Sequence, residues 1–127
     1  MEWTIIETEG FKKWCKKNDV DEESISFFKR PLQQFDRGVR IHEKQTRLVS
    51  DDVYEIWYVR MPDKKFDAGK KSGFRIVFVL DIEEKILILE GIFRRKFLNY
   101  KTETGKFQSN FETLIDDLAF QYITKRL

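Results

Sequence analysis

Three arginines raise the question of chemistry first. Arg60, Arg75 and Arg94 each stand at an end of a run rich in β-branched and aromatic residues: Y-E-I-W-Y-V-R-M from Tyr54, F-R-I-V-F-V-L from Phe74, and K-I-L-I-L-E-G-I-F-R-R from Lys85. Such runs, separated by turn residues, read as consecutive antiparallel strands. A hairpin sets the start of one strand beside the end of the next, so Arg75 and Arg94 come to one edge of the sheet. The strand ending near Arg60 brings that residue to the same edge. Guanidinium groups gathered there suit phosphate oxygens, because the planar fork is always charged and accepts bidentate geometry. The charge distribution agrees. Residues 60–106 hold twelve Lys and Arg against seven Asp and Glu, while the remainder holds twelve against fifteen. A basic middle in a chain of net charge +2 marks a local anion site. The plainer reading is that strand-end cations are solvated, or that Arg75 pairs with Glu90 or Asp81 across its hairpin.

Other chemistries are narrower. Cys15 is the single cysteine, which rules out an internal disulfide and a thiol-built zinc cluster. It falls on an apolar helix stripe, where a thiol packs as a small inert hydrophobe. His42 is the single histidine, so neither a two-histidine acid–base pair nor a multi-histidine metal site can form. Its polar neighbours suggest a solvated side chain. Asp116 and Asp117 are adjacent acids on a solvated helix face. No metal and no cofactor is expected. No apolar run approaches the ~20 residues that span a membrane, and Met1-Glu2-Trp3 does not open a signal peptide. A cytoplasmic location is the expectation. Length indicates one domain over residues 1–127.

The positioning elements are set by pattern. Trp3 to Glu7 reads as a short strand. Thr8 caps a helix to about Asn18, with Phe11, Trp14, Cys15 and Asn18 on one face. Asp21 caps a second helix carrying Ile25, Phe28, Leu32 and Phe35; Pro31 should kink or split it near Arg30, and Gly38 should close it. Val39 to Asp52 suggests a strand or an extended connector. Alternation puts Ile86, Ile88, Glu90, Ile92 and Arg94 on one face of the third run, and Arg75, Val77 and Val79 on one face of the second. Ser109 and Glu112 form a capping box for a C-terminal helix over about 109–125, with Phe111, Leu114, Ile115, Leu118, Tyr122 and Ile123 as its apolar stripe.

Gly69-Lys70-Lys71-Ser72-Gly73-Phe74-Arg75, followed by I-V-F-V-L, resembles the RelE/ParE superfamily of bacterial toxins. The match continues in Gly91-Ile92-Phe93-Arg94-Arg95-Lys96 and Tyr100, and in Val53-Tyr54-Glu55-Ile56-Trp57 before the loop. It covers residues 3–100. The resemblance implies an α+β, RelE-like domain: an N-terminal strand and two helices packed on a small antiparallel sheet, here with a C-terminal helix added. It implies an endoribonuclease that cleaves mRNA, often on the ribosome, without metal, and that a cognate antitoxin protein neutralises. Such cleavage removes a proton from the ribose 2′-OH, stabilises a phosphorane and protonates the leaving oxygen. By the resemblance, Arg75 and Arg94 stabilise the scissile phosphate, and Tyr100 stacks a base or joins proton transfer. Lys70 or Lys71 holds the RNA backbone or serves as base, and Arg95 and Lys96 join them in binding RNA. Arg60 is added by the sheet geometry. Where family members often carry Arg or Lys, Glu55 and Trp57 stand here. A ParE-like inhibitor of DNA gyrase, or an inactive RelE-like module that binds protein or RNA, are the competing readings.

Overall fold

A computed structural model describes residues 2–62, 73–94, 99–101 and 107–124, with the backbone alone at 99–101 and 107–108. The chain runs β1 (Thr4–Glu7), α1 (Glu9–Lys17), α2 (Glu22–Gln33), β2 (Glu43–Ser50), β3 (Tyr54–Met61), β4 (Phe74–Asp81), β5 (Ile86–Phe93), β6 (Asn99–Lys101), β7 (Phe107–Ser109) and α3 (Asn110–Leu118). The last helix passes into a π-helical turn, Ala119–Ile123. The class is α+β, as expected. The sheet is not purely antiparallel, however. Its order is β1-β5-β4-β3-β2, and β1 pairs in parallel with β5. The two-helix crossover and the three strands after it return the chain beside β1 in β1's own direction. β6 and β7 form a separate antiparallel pair.

Both faces of the large sheet are covered. On one, Phe11, Ile25, Phe28 and Leu32 of the first two helices meet Trp57, Val59, Phe74, Ile76, Phe78, Leu87, Leu89 and Ile92. On the other, Phe111, Leu114, Ile115 and Leu118 of α3 meet Ile56, Tyr58, Val77, Val79, Ile88 and Phe93. Apolar side chains on both sides of β4 and β5 require this two-sided burial.

The caps hold as the sequence suggests. The Thr8 hydroxyl accepts from Phe11 N–H at 3.1 Å and donates to the Leu89 carbonyl at 2.9 Å, which ties the start of α1 to β5. The Asp21 carboxylate accepts from Ser24 N–H at 2.9 Å, and the Ser109 hydroxyl accepts from Glu112 N–H at 3.1 Å. Pro31 neither kinks nor splits α2, because it falls in the final turn; the helix ends at Gln33, well short of Gly38. The segment after it is ordered by side chains. Gln45 accepts from the N–H groups of Ile41 and His42 and donates to the carbonyls of Asp36 and Val39.

One local irregularity decides which way the end of β5 faces. Across β4 and β5, Val77 pairs with Gly91 and Phe78 with Leu89, so Glu90 is the extra residue of a β-bulge. A bulge shifts the in–out alternation by one position. Leu87 and Leu89 face α1 and α2, as does Ile92 beyond the bulge, while Ile88 and Phe93 face α3. Gly91 also faces α3, where a Cβ would come within 2.4 Å of a Leu114 methyl. Absence of a side chain at Gly91 is what lets Leu114 seat on the sheet.

Candidate functional site

The register places Arg60 directly opposite Arg75 in the β3–β4 ladder. Both lie on the α3 side, since Trp57, Val59 and Met61 of β3, and Phe74, Ile76 and Phe78 of β4, face the other way. Like charges directly opposed on a sheet repel unless something compensates them. Glu43 of β2, the cross-strand partner of Arg60 on its other side, supplies one carboxylate at 3.6 Å from Arg60. The Arg60 side chain is 13% exposed and that of Glu43 59%. Arg75 is half-buried and makes no ion pair among the described residues. Neither acid expected as its partner is engaged with it. Asp81 accepts from Glu84 N–H, and Glu90 accepts from the Tyr122 hydroxyl.

Gly73 is needed at the same place. A Cβ there would lie 2.6 Å from the Met61 carbonyl and 3.2 Å from Arg60 Nε. Arg60 therefore packs along the glycine just before β4. The floor beside the pair is aromatic. Phe93 is the cross-strand partner of Arg75. Phe111 of α3 stands edge-on to Tyr58 at 5.2 Å and to Phe93 at 6.4 Å.

Arg94 does not join the pair, contrary to the expected gathering of three guanidinium groups. Its guanidinium lies 5.1 Å over the Phe74 ring, on the α1–α2 side, with Nη2 3.4 Å from the Asp19 carbonyl. The cause is the bulge. Strict alternation puts Arg94 on the face of Ile88; one extra residue at Glu90 turns it to the face of Leu89. Arg75 and Arg94 share an end of the sheet and lie on opposite sides of it.

Arg94 is held there by a residue that periodicity places only on an apolar stripe. Asn18 is 1% exposed. Its Oδ1 accepts from Arg94 N–H at 2.7 Å, and its Nδ2 donates to the carbonyls of Ile92 at 3.0 Å and Trp14 at 2.8 Å. A buried amide whose donors and acceptor bridge a helix end and a strand end is a clamp. A polar residue at the last apolar-stripe position of a helix was the available signal.

Of the other expected site residues, Lys70, Lys71, Arg95 and Lys96 lie outside the described residues. Tyr100 is described by its backbone alone, within β6 opposite Gln108. His42 is not solvated. It stacks on Phe35 at 6.0 Å and is half-buried, its Nε2 has no hydrogen-bond partner among the described residues, and burial pushes its imidazole below the ordinary value. Cys15 is buried, and burial together with the carboxylates of Glu7 and Glu22 pushes its thiol up to about 12, which suits an inert role. No group of three metal-ligating side chains occurs among the described residues.

A second charged cluster sits on the α1–α2 side. Glu55, 3% exposed, accepts from Arg37 in a bidentate contact at 2.8 and 2.6 Å, from Trp57 Nε1 at 3.0 Å and from Arg47 at 3.3 Å. Burial pushes its carboxyl up, but the Arg37 and Trp57 hydrogen bonds and the two arginine charges outweigh that and hold it below the ordinary value. A depressed carboxyl contributes stability above its unfolded pKa and loses it as pH falls through the folded one. Glu55→Gln should therefore lower the urea midpoint at pH 7 by an amount equivalent to about 1–3 kcal/mol. The gap to the unsubstituted protein should close as the medium is made strongly acidic. A gap that stays constant with pH would mean that the ionised form of Glu55 contributes nothing. The cluster is saturated with its own partners and is structural.

Fold and site together define a class: an α+β domain with a five-stranded mixed sheet and, at its end, an arginine pair for which Glu43 is the one ion-paired carboxylate among the described residues. No family model and no curated protein matches the chain. No helix among the described residues is long and apolar enough to cross a membrane.

Proposed function

We propose that the chain is a RelE-like toxin domain that engages RNA, with Arg60 and Arg75 as its phosphate contact and a cognate antitoxin protein as its neutralising partner. The observation that carries the reading is the direct cross-strand pairing of Arg60 with Arg75, for which Glu43 is the one carboxylate within reach among the described residues. Two arginines paired across the ladder, with one weak counter-ion among the described residues, suit a phosphodiester, which supplies negative charge and acceptors. Tyr58 and Phe111 beside the pair are partly exposed and carry rings of the kind on which unpaired bases stack. The element order of strand, two helices and then four antiparallel strands accords with the motif resemblance at Gly69–Arg75.

The role of Arg94 is withdrawn from this reading. Stabilisation of one phosphorane by Arg75 and Arg94 together needs both on one side of the sheet. Binding of an RNA backbone is accordingly the primary activity, and with it inhibition of translation. Metal-independent cleavage is the second reading, supported by the direct cross-strand pairing of Arg60 with Arg75. Incubation of purified protein with single-stranded RNA in a chelator separates these readings. Retarded intact RNA supports binding, and fragments ending in 2′,3′-cyclic phosphate support cleavage. Failure to bind RNA, joined with inhibition of gyrase supercoiling, would replace both with a ParE-like reading.

Glu43 acts in this scheme as a built-in competitor for Arg60. Glu43→Gln should raise RNA affinity about two- to threefold in low salt, because an exposed ion pair contributes roughly 0.2–1 kcal/mol. The gain should vanish above about 0.5 M salt, where screening removes the competition. A loss of affinity in this variant would mean that Glu43 orients Arg60 for binding.

A further inference from the structure

The α3 side of the sheet carries a second polar feature that the phosphate reading does not use. Glu90, the bulge residue, is 7% exposed. Its carboxylate accepts from the Tyr122 hydroxyl at 3.1 Å. Tyr122 lies in the π-helical turn that ends α3, and its ring stands edge-on to Tyr54 of β3 at 5.2 Å. Two backbone irregularities, a bulge and a π-turn, thus meet at one hydrogen bond. Such irregularities cost regular backbone hydrogen bonding and mark functional positions more often than regular turns do.

We propose that Glu90 and Tyr122 form a pH-sensitive latch that holds α3 over the sheet as a detachable cap. The geometry supplies both parts. Residues of α3 and the turn cover the apolar face, from Phe111 over Tyr58 and Phe93 to Tyr122 over Tyr54. Beyond those apolar contacts, the Tyr122–Glu90 bond is a polar tie between the turn and the sheet.

Among the described residues, no cation compensates Glu90. Tyr122 faces it from the turn, Tyr54 stands behind Tyr122 on β3, and Thr8 reaches it from the β1–α1 junction. On this face β4 presents Val77, Val79 and, at its start, Arg75, which is paired with Arg60 of β3; neither arginine is among the groups that shift Glu90. Of the charged groups of α3, Glu112, Asp116 and Asp117 are exposed, as are Glu9, Lys12, Lys13, Lys16 and Lys17 of α1. Burial pushes the Glu90 carboxyl up, and the hydrogen bond from Tyr122 offsets that only in part. Burial and the neighbouring carboxylate push the Tyr122 phenol up as well, so it remains the donor. A carboxyl raised in the folded state stabilises that state fully below the unfolded pKa and loses the contribution as pH rises through the folded pKa. The cap is held most firmly at acid pH and loosens as pH rises through the raised pKa of Glu90. Loosening uncovers the aromatic floor beside Arg60 and Arg75, a consequence that rests on the phosphate-site reading.

Amide hydrogen exchange in residues 110–123, corrected for the intrinsic pH dependence, tests the latch in the full chain. Protection is expected to fall several-fold between acid and mildly alkaline pH. Glu90→Gln mimics the neutral acid and should hold protection at the acid level across the range. Tyr122→Phe should lower protection while leaving a fall with pH. The same pH dependence in Glu90→Gln as in the unsubstituted protein, or protection that rises with pH, would overturn the proposal. Should Glu90→Gln fail to fold, a carbon-detected titration of the Glu90 carboxyl decides it: a midpoint at or below that of an ordinary glutamate overturns the latch. RNA affinity that stays flat with pH while exchange in α3 changes would uphold the latch and count against the phosphate site alone.

Discussion

Arg75→Ala lowers affinity for single-stranded RNA about ten- to hundredfold at moderate salt, the expected cost of losing one charge-assisted phosphate contact of roughly 1.5–3 kcal/mol. Arg60→Ala acts in the same direction. The salt dependence of binding should become shallower by about 0.7 in log–log slope for each contact removed from a single strand. The thermal midpoint should hold or rise, because Arg75 has no ion-pair partner among the described residues and its removal relieves repulsion with Arg60. Arg94→Ala is the discriminating control. Its guanidinium lies over Phe74 on the other side of the sheet, so its loss should change affinity less than about twofold. An affinity loss in Arg94→Ala equal to that in Arg75→Ala would show that one ligand reaches both faces, and the two-arginine site would have to be redrawn. Filter binding or fluorescence anisotropy over a series of salt concentrations decides the matter.

The second large effect is on stability. Asn18→Ala removes the acceptor of Arg94 N–H and the donor to the Ile92 and Trp14 carbonyls. Two of these partners belong to the end of β5, so truncation leaves buried backbone groups unpaired. Each such group costs about 1–3 kcal/mol, and a total of roughly 2–4 kcal/mol is expected from urea unfolding, or a fall of about 10 °C in Tm. Hydrogen exchange should show the loss first at Arg94 and in the last turn of α1. Asn18→Asp tests the polarity of the clamp. It keeps the acceptor toward Arg94 N–H and gives up the donors, so it should be as damaging at neutral pH and recover partly in acid, where the neutral carboxyl can donate. Retention of native stability by Asn18→Ala would mean that water replaces the amide.

Both effects centre on the end of β5. Asn18 fixes the backbone of Arg94 against the end of α1, and the bulge at Glu90 has already turned that backbone to the α1–α2 side. The arginine that the motif resemblance made catalytic is thereby built into the packing of the helices, with its charge against Phe74 and the end of α1. Arg60 and Arg75 lie on the α3 side, where Glu43 is the one carboxylate ion-paired to them among the described residues.

Much of this was legible in the chain. The alternating and continuous apolar runs from Tyr54, Phe74 and Lys85 fix β3, β4 and β5, because a strand buried on both faces can be little else. Thr8, Asp21 and Ser109 mark the three helix starts through their side-chain oxygens. The stripe at Phe111, Leu114, Ile115 and Leu118 requires an apolar surface opposite α3. Antiparallel pairing alone was enough to place Arg60 beside Arg75.

What the sequence could not decide was parity and neighbourhood. Alternation along β5 carries Arg94 to one face only if no residue is inserted, and nothing in L-E-G-I-F announces that Glu90 is the inserted one. The bulge is set by tertiary demands: Glu7 pairs with Leu89 as β1 ends and α1 takes over beside β5, Leu114 requires the bare Gly91, and Tyr122 requires a buried acceptor. Pairing of β1 with β5 is likewise a long-range choice that no local pattern encodes. Residue types determine which segments become strands and helices, because propensity and periodicity are local. Which side of the sheet a charge finally occupies is decided by the packing of three layers against one another.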